Sequence, residues 1–345
     1  MASPTVAALA NSESPAEDTR VLLKTRTSVT GAMLTVEEER GVRTLYLDGH
    51  CQSDVIVKAD GTLSDQQPLE LVQILSLMTN GWLSGPRLNA TCLAGSRVLL
   101  LGLGGGSIAR VLSASLPLAG RVHSLELEPE VITAAADYFG LELSEPRCTA
   151  EPGDCAMFLK KRHRRLLEAA QPAASTKEEG SGSEGDAGGG DDGRYDVILL
   201  DAFTSQGLSP STRKNATLDA ARGCLSAGGL LMVNLHTGPP NDPSDPDYYI
   251  ARGVLRMLCR HFDCVYSLCC TSTMNLIAIC HQGELVDVDQ WETRLSEQLS
   301  RPELAQACHE LNLETMLDRF EHVGGKAEPL SEDDGPDVPP EFRSR

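Results

Sequence analysis

The stretch that decides the fold is VLLLGLGGGS, Val98 to Ser107. An apolar run leads without a break into a loop holding Gly102, Gly104, Gly105 and Gly106. Such a run reads as a strand buried on both faces, the kind found in parallel sheets. Ser107 to about Leu116 carries a helical pattern, so the glycines join a strand to a helix. Backbone N–H groups and the helix dipole at such a turn are available to an anion or to the edge of a ligand. Taken alone, the loop leaves a plain structural turn and several cofactors open.

Outward from this unit, strand and helix keep alternating. Val122–Leu127 is a strand, and Pro129–Phe139 a helix with proline in its first turn. Cys148–Glu151 is a short strand and Cys155–Arg165 a helix. Asp196–Leu200 is a strand, Leu218–Leu225 closes a helix, and Gly228-Gly229 turn into the strand Leu230–Leu235. Tyr248–Cys259 is a helix. Cys264–Cys269 and Asn275–Cys280 form a strand pair around a Thr-Ser-Thr turn, with one strand antiparallel. The pattern predicts an α/β fold with a doubly wound, mostly parallel seven-stranded sheet of Rossmann-like type.

Upstream, Val21–Val57 is β-like and turns at Asp48-Gly49. Leu69, Val72, Leu75 and Met78 share one helical face, with Ser64 or Asp65 as the expected N-cap. Downstream, Asp289–Leu299 and Pro302–Phe320 read as helical. The expected organisation is a disordered start (1–20), a β-rich segment (21–65), a core (66–285), C-terminal helices (286–325) and a disordered acidic tail (326–345). The core is interrupted at 169–193 by AAQPAASTKEEGSGSEGDAGGGDDG, too polar to bury.

The chain's 345 residues and 41% hydrophobic content support a large core, and 4% aromatic content makes that core aliphatic. A net charge of −19 argues against nucleic acid and suits a basic protein or an amine. Eleven cysteines without C-x-x-C spacing read as reduced thiols of an intracellular protein, not as metal ligands. The start lacks a signal-peptide pattern, and no apolar run approaches the ~20 residues of a membrane span. The expectation is a soluble cytoplasmic protein with no membrane contact.

Four positions gather at expected strand ends, where ligands collect in doubly wound sheets. After Gly102 come Glu126, Asp154 and Asp201. Glu126 lies about twenty residues past the glycines, where an acid meets ribose hydroxyls; an ordinary strand-end charge is the other reading. Asp154, in PGDC, is either a helix N-cap or an acceptor for an adenine amino group. Asp201 ends the strand YDVILLD. His236, in VNLHT, is a weaker candidate at the mouth of the site.

These residues resemble class I S-adenosylmethionine-dependent methyltransferases, in the branch related to spermidine synthases. The resemblance runs from about Arg43 to Cys280. LYLDGHCQS, the glycine loop, LELEP, PGDC and YDVILLDAF fall in the family's order. It implies S-adenosylmethionine as cofactor, bordered by Gly102, Gly104 and Gly106. Glu126 would hold the ribose, Asp154 the adenine amino group and Gln52 the nucleoside, with Asp201 where the reacting amine arrives.

Two departures separate the chain from the aminopropyl transferases of that branch. Their loop carries an acid, GGGDGG, where this chain has Gly105; their DSSD carries a second acid where this chain has Thr204. Neutral replacements leave a polyamine's ammonium groups without charge-assisted partners. GLGGGS, ELEP, DYFG and CQSD look closer to the C-terminal domain of the dual lysine and N-terminal methyltransferases of translation elongation factor one-alpha. Full-length members carry another methyltransferase domain in front, for which the segment before Met33 leaves no room.

The resemblance implies methyl transfer to a protein amine, with elongation factor one-alpha as the indicated partner and a homodimer by analogy. Asp201 would orient the amine, helped by Gln52 or the carbonyls of Ala202-Phe203. A polyamine aminopropyl transferase and a catalytically inactive scaffold are the alternatives; a nicotinamide oxidoreductase is more distant, since the loop lacks its third glycine at the usual place.

Overall fold

The computed structural model describes residues 19–85, 95–170, 193–204, 207–237 and 245–327. Four strands open the chain: β1 (Arg20–Arg26), β2 (Met33–Glu39), β3 (Val42–Leu47) and β4 (His50–Ile56). They pair in sequence order as an antiparallel meander. Leu34, Val36, Leu45 and Val55 form its buried face.

Helix α1 (Glu70–Leu83) follows. Its N-cap is Leu69, without a side-chain cap, so the Ser64 or Asp65 expectation is corrected. Packing supplies what capping does not: from Val72 to Leu83 the helix is buried throughout.

The main sheet begins with β5 (Arg97–Leu101) and α2 (Ser107–Ser115), then β6 (Arg121–Glu126), α3 (Pro129–Phe139), β7 (Cys148–Pro152), α4 (Cys155–Ala170) and β8 (Tyr195–Leu200). Two short strands, β9 (Phe203–Thr204) and β10 (Gly207–Leu208), precede α5 (Asn215–Cys224), β11 (Leu225–His236), α6 (Pro246–His261), β12 (Cys264–Cys269) and β13 (Asn275–His281). The chain closes with α7 (Val288–Leu299), α8 (Pro302–Ala307), α9 (Leu313–Leu317) and β14 (Phe320–Gly324).

The large sheet runs β14-β12-β13-β11-β8-β5-β6-β7. From β7 to β11 all neighbours are parallel. β13 is antiparallel to both β11 and β12, completing the seven expected strands. The eighth, β14, pairs with β12 and corrects the all-helical reading of Pro302–Phe320. Helix α4 runs on to Ala170, past the expected end at Arg165 and into the first two positions of the expected insert. Residues 171–192 of that insert, 1–18 of the expected disordered start and 328–345 of the tail lie outside the described residues.

The β5 sequence explains the layering. Val98 and Leu100 point into one apolar cluster, shared with α1, α2 and α7; Leu99 and Leu101 point into the other, shared with α4, α5 and α6. A strand apolar on both faces needs cover on both. Helix α3 spans two units: Val131, Ala134 and Phe139 pack on the N-terminal sheet, while Ala135 joins the main core. This contact brings β4 against the glycine loop. The described cysteines are all free; Cys51 and Cys269 are exposed and the others buried. Among the described residues, no helix is long and apolar enough to cross a membrane.

Candidate functional site

The loop after β5 is held by hydrogen bonds at every residue. Gly102 N donates to Leu125 O (2.9 Å) and Gly106 N to Leu103 O (2.9 Å). Leu103 N and Gly104 N donate to Glu126 Oε2, at 3.0 and 3.4 Å. Gly105 N donates to Ser53 Oγ at 2.7 Å. The loop amides from 102 to 106 are therefore engaged within the protein, and the expectation that they stand ready for an anion is corrected.

Close approach explains two glycines. A Cβ at Gly102 would lie 2.2 Å from the Asp201 carbonyl oxygen, and its φ of +98° is strained for other residues. A Cβ at Gly105 would meet Ser53 Cβ at 2.7 Å and Phe139 at 3.1 Å. Gly104 lies against the same Ser53, with Gln52 O just beyond. Gly106 is the N-cap of α2 and backs onto Leu141.

Glu126 is half-buried at the end of β6. Burial pushes its pKa up, and the N–H groups of Leu103, Glu128, Gly104 and Leu127 oppose that rise. Glu128, two residues on, does something else. It is 2% exposed and accepts from Val29 N (3.1 Å), Thr30 N (2.9 Å) and Thr30 Oγ1, clamping the β1–β2 turn.

Asp154 is exposed, and its Oδ1 accepts from Met157 N at 2.7 Å, the bond of an N-cap on α4. Gln52 turns its side-chain amide back toward its own strand, donating to His50 O (3.2 Å) and Cys51 O (3.4 Å).

Asp201 follows β8 directly, and its backbone N–H donates to Leu101 O at 2.8 Å. Its Oδ1 accepts from Asn234 Nδ2 at 2.7 Å, and Asn234 Oδ1 accepts from Asn275 Nδ2 at 2.9 Å. Burial of the carboxyl, with Glu126 adding like charge, pushes its pKa up to about 6 against the Asn234 hydrogen bond. His236 lies two residues past Asn234, and its Nδ1 is 2.8 Å from Asp247 Oδ2. That bond raises the histidine's pKa. Asp245 caps α6 and fixes Asp247 beside it.

The structure thus gathers Gly102, Gly104, Glu126 and Asp201 at one sheet edge, with Gln52 reaching it through its backbone. Sequence reading missed Ser53, Asn234, Asn275 and Asp247. Ser53 adjoined a noted residue, and Asn234 was two positions from His236; Asn275 and Asp247 gave no local signal. A cavity of about 380 Å³ lies elsewhere, among Arg97, Arg121, His123 and Arg162 at the opposite strand ends. It is remote from the loop and carries no part of this site. Among the described residues, no group of three or more His, Cys, Asp or Glu is placed to hold a metal.

No protein-family model matches the chain. A polyamine aminopropyltransferase of Neisseria meningitidis is 24% identical over 204 residues, covering 59% of this chain and 61% of the relative. One from Vibrio vulnificus is 26% identical over 138 residues, covering 40% and 37%. The chain thus spans about three fifths or less of these curated relatives. Among solved structures, a probable spermidine synthase from Corynebacterium glutamicum superposes with a TM-score of 0.56 at 15% identity, covering 81% of this chain and 86% of the other. A spermidine synthase in complex with the transition-state analogue AdoDATO gives 0.56 at 15%, covering 87% and 84%. Human methyltransferase-like protein 13 in complex with SAH gives 0.48 at 19% identity, covering 67% and 90%. The architecture is the class I methyltransferase fold in its spermidine-synthase-like form.

Proposed function

We propose that this protein transfers a methyl group from S-adenosylmethionine to an amine of a protein. The observation that carries the reading is the packing of Gly105: its N–H is bound by Ser53 Oγ, and Ser53 Cβ occupies the space a side chain would need. An acid at that position, which would hold the ammonium of a decarboxylated donor, has no room. A neutral loop leaves the carboxylate of an intact donor unrepelled.

The donor site is built from Gly102, Gly104, the backbone of Gln52 and the Glu126 carboxylate, which accepts the ribose hydroxyls. Gly106 borders it from behind, as the cap of α2. Asp154 takes the adenine amino group on the oxygen that does not cap α4. When bound, S-adenosylmethionine supplies an electrophilic methyl group on sulfur. The protein's part is orientation: Asp201 accepts a hydrogen bond from the acceptor amine and holds its lone pair in line. An α-amine, with a pKa near ~8, loses its proton readily enough to need little more. The motifs of the elongation factor one-alpha methyltransferases make that factor's N-terminus or a lysine the first acceptor to test.

Aminopropyl transfer to a polyamine is the second reading, and the names of the curated relatives favour it. Calorimetry with S-adenosylmethionine and its decarboxylated form separates the two. Tighter binding of the intact donor, by tenfold or more, supports methyl transfer. Preference for the decarboxylated donor establishes the second reading, and binding of neither leaves an inactive scaffold.

A further inference from the structure

Asp201 does not stand alone at the end of β8. Asn234 comes from the middle of an apolar strand, between Val233 and Leu235, and is 3% exposed. A buried amide is costly unless both of its ends are bonded. Here both are: Nδ2 to Asp201 Oδ1 at 2.7 Å, and Oδ1 from Asn275 Nδ2 at 2.9 Å. Asn275 opens β13 and pairs across from His236, so three strands converge on one carboxylate. An ionised Asp201 only accepts, and the Asn275 amino group on the Asn234 oxygen favours the same orientation of that amide. The Asn234 amino group must then face Asp201. With Oδ1 engaged, Oδ2 is the oxygen turned to an incoming group.

We propose that Asn234, held in orientation by Asn275, is a positioning residue that locks Asp201 and presents a single carboxylate oxygen to the acceptor amine. This rests on the role given to Asp201 above. A single anionic oxygen backed by neutral amides matches one amine better than a chain of ammonium groups. Glu126, from β6, acts on Asp201 as a like charge. The His236–Asp247 pair is the titratable group next along β11. Against burial and Glu126, the Asn234 hydrogen bond is what favours the ionised carboxylate.

The test is a pH titration of the Asp201 carboxyl by carbon NMR on the donor-free protein, with Asp201→Asn identifying its signal. Asn234→Leu is expected to raise the titration midpoint by about one unit. Asn275→Ala should move it less, in the same direction, and Asn234→Ser should restore part of the shift. In turnover, Asn234→Leu lowers kcat about tenfold, leaves the donor's KM unchanged and moves the acidic limb of the pH profile upward. An unmoved carboxyl titration in both Asn234→Leu and Asn275→Ala overturns the inference. The titration reads positioning even if no methyl transfer is found, which would instead sink the proposed function.

Discussion

The glycine loop after β5 and the carboxylate cluster after β8 are neighbours on one sheet edge, but they are built in different ways. In the loop, backbone N–H groups are spent on Glu126 and Ser53, so its shape follows from chain segments packed against it. At the cluster, side chains of β11 and β13 and the residue following β8 bond one another, and the backbone serves only as scaffold. The first arrangement gives a backbone surface backed by the Glu126 carboxylate. The second holds one charge where burial opposes it. In the proposed reaction the donor would lie on the former and the amine acceptor at the latter.

The largest effect is expected where the two regions touch. Gly102→Val drives a side chain into the Asp201 carbonyl and forces an unfavourable φ. It should cost roughly 3 kcal/mol or more of stability and abolish donor binding. Denaturant melts and calorimetry check it, and an unmoved midpoint would mean that loop and cluster are not locked together.

Next in size is Asp201→Asn, expected to lower turnover by about 100-fold or more. Its effect on stability runs the other way. Asp201 in the fold titrates at about 6, above its ordinary value, so the folded protein holds the extra proton between roughly pH 4 and 6 and loses stability as pH rises through that window. The variant should therefore match the parent at pH 4 and exceed it by about 1–3 kcal/mol at pH 7.5. Equal stability at both pH values would show that the ionised carboxylate carries no such cost.

A sharper contrast comes from two acids on one short segment. Glu128→Ala removes the shared acceptor of the part-buried Val29 and Thr30 donors and should cost about 1 kcal/mol, leaving donor affinity within a few-fold. Glu126→Gln keeps one oxygen for the loop amides and should weaken donor binding by about tenfold, with a loss of melting no larger than that of Glu128→Ala. If both variants behave alike, the division between a clamp and a ligand-facing acid is wrong. The smallest effect is Asp154→Ala, which removes the α4 cap at about 1 kcal/mol. A fall in donor affinity beyond that of the cap loss would give Asp154 its second role.

Several features were legible in the chain because they are local. VLLLGLGGGS has the composition of a doubly buried strand and a turn without side chains, and the core strand–helix alternation follows the same rule. Pro129 opening α3 and Gly140 closing it are read directly from the punctuation. The C-terminal segment was harder: β14 is short, buries only its two ends without an alternating pattern and pairs along the edge of β12. The N-terminus of α1 was misplaced because burial, not a cap, determines where that helix begins.

By itself, the sequence determined the doubly wound sheet, the order of its strands and helices, and the gathering of Glu126 and Asp201 at strand ends. Those follow from hydrophobic period and turn chemistry, which act over a few residues. Only the tertiary structure decided that Ser53 fills the space beside Gly105, that Glu128 is a clamp, and that Asn234 and Asn275 stand behind Asp201. Each of these depends on a pairing register between segments far apart in the chain, and a single hydrogen bond across such a distance leaves no periodic trace in the residues that make it.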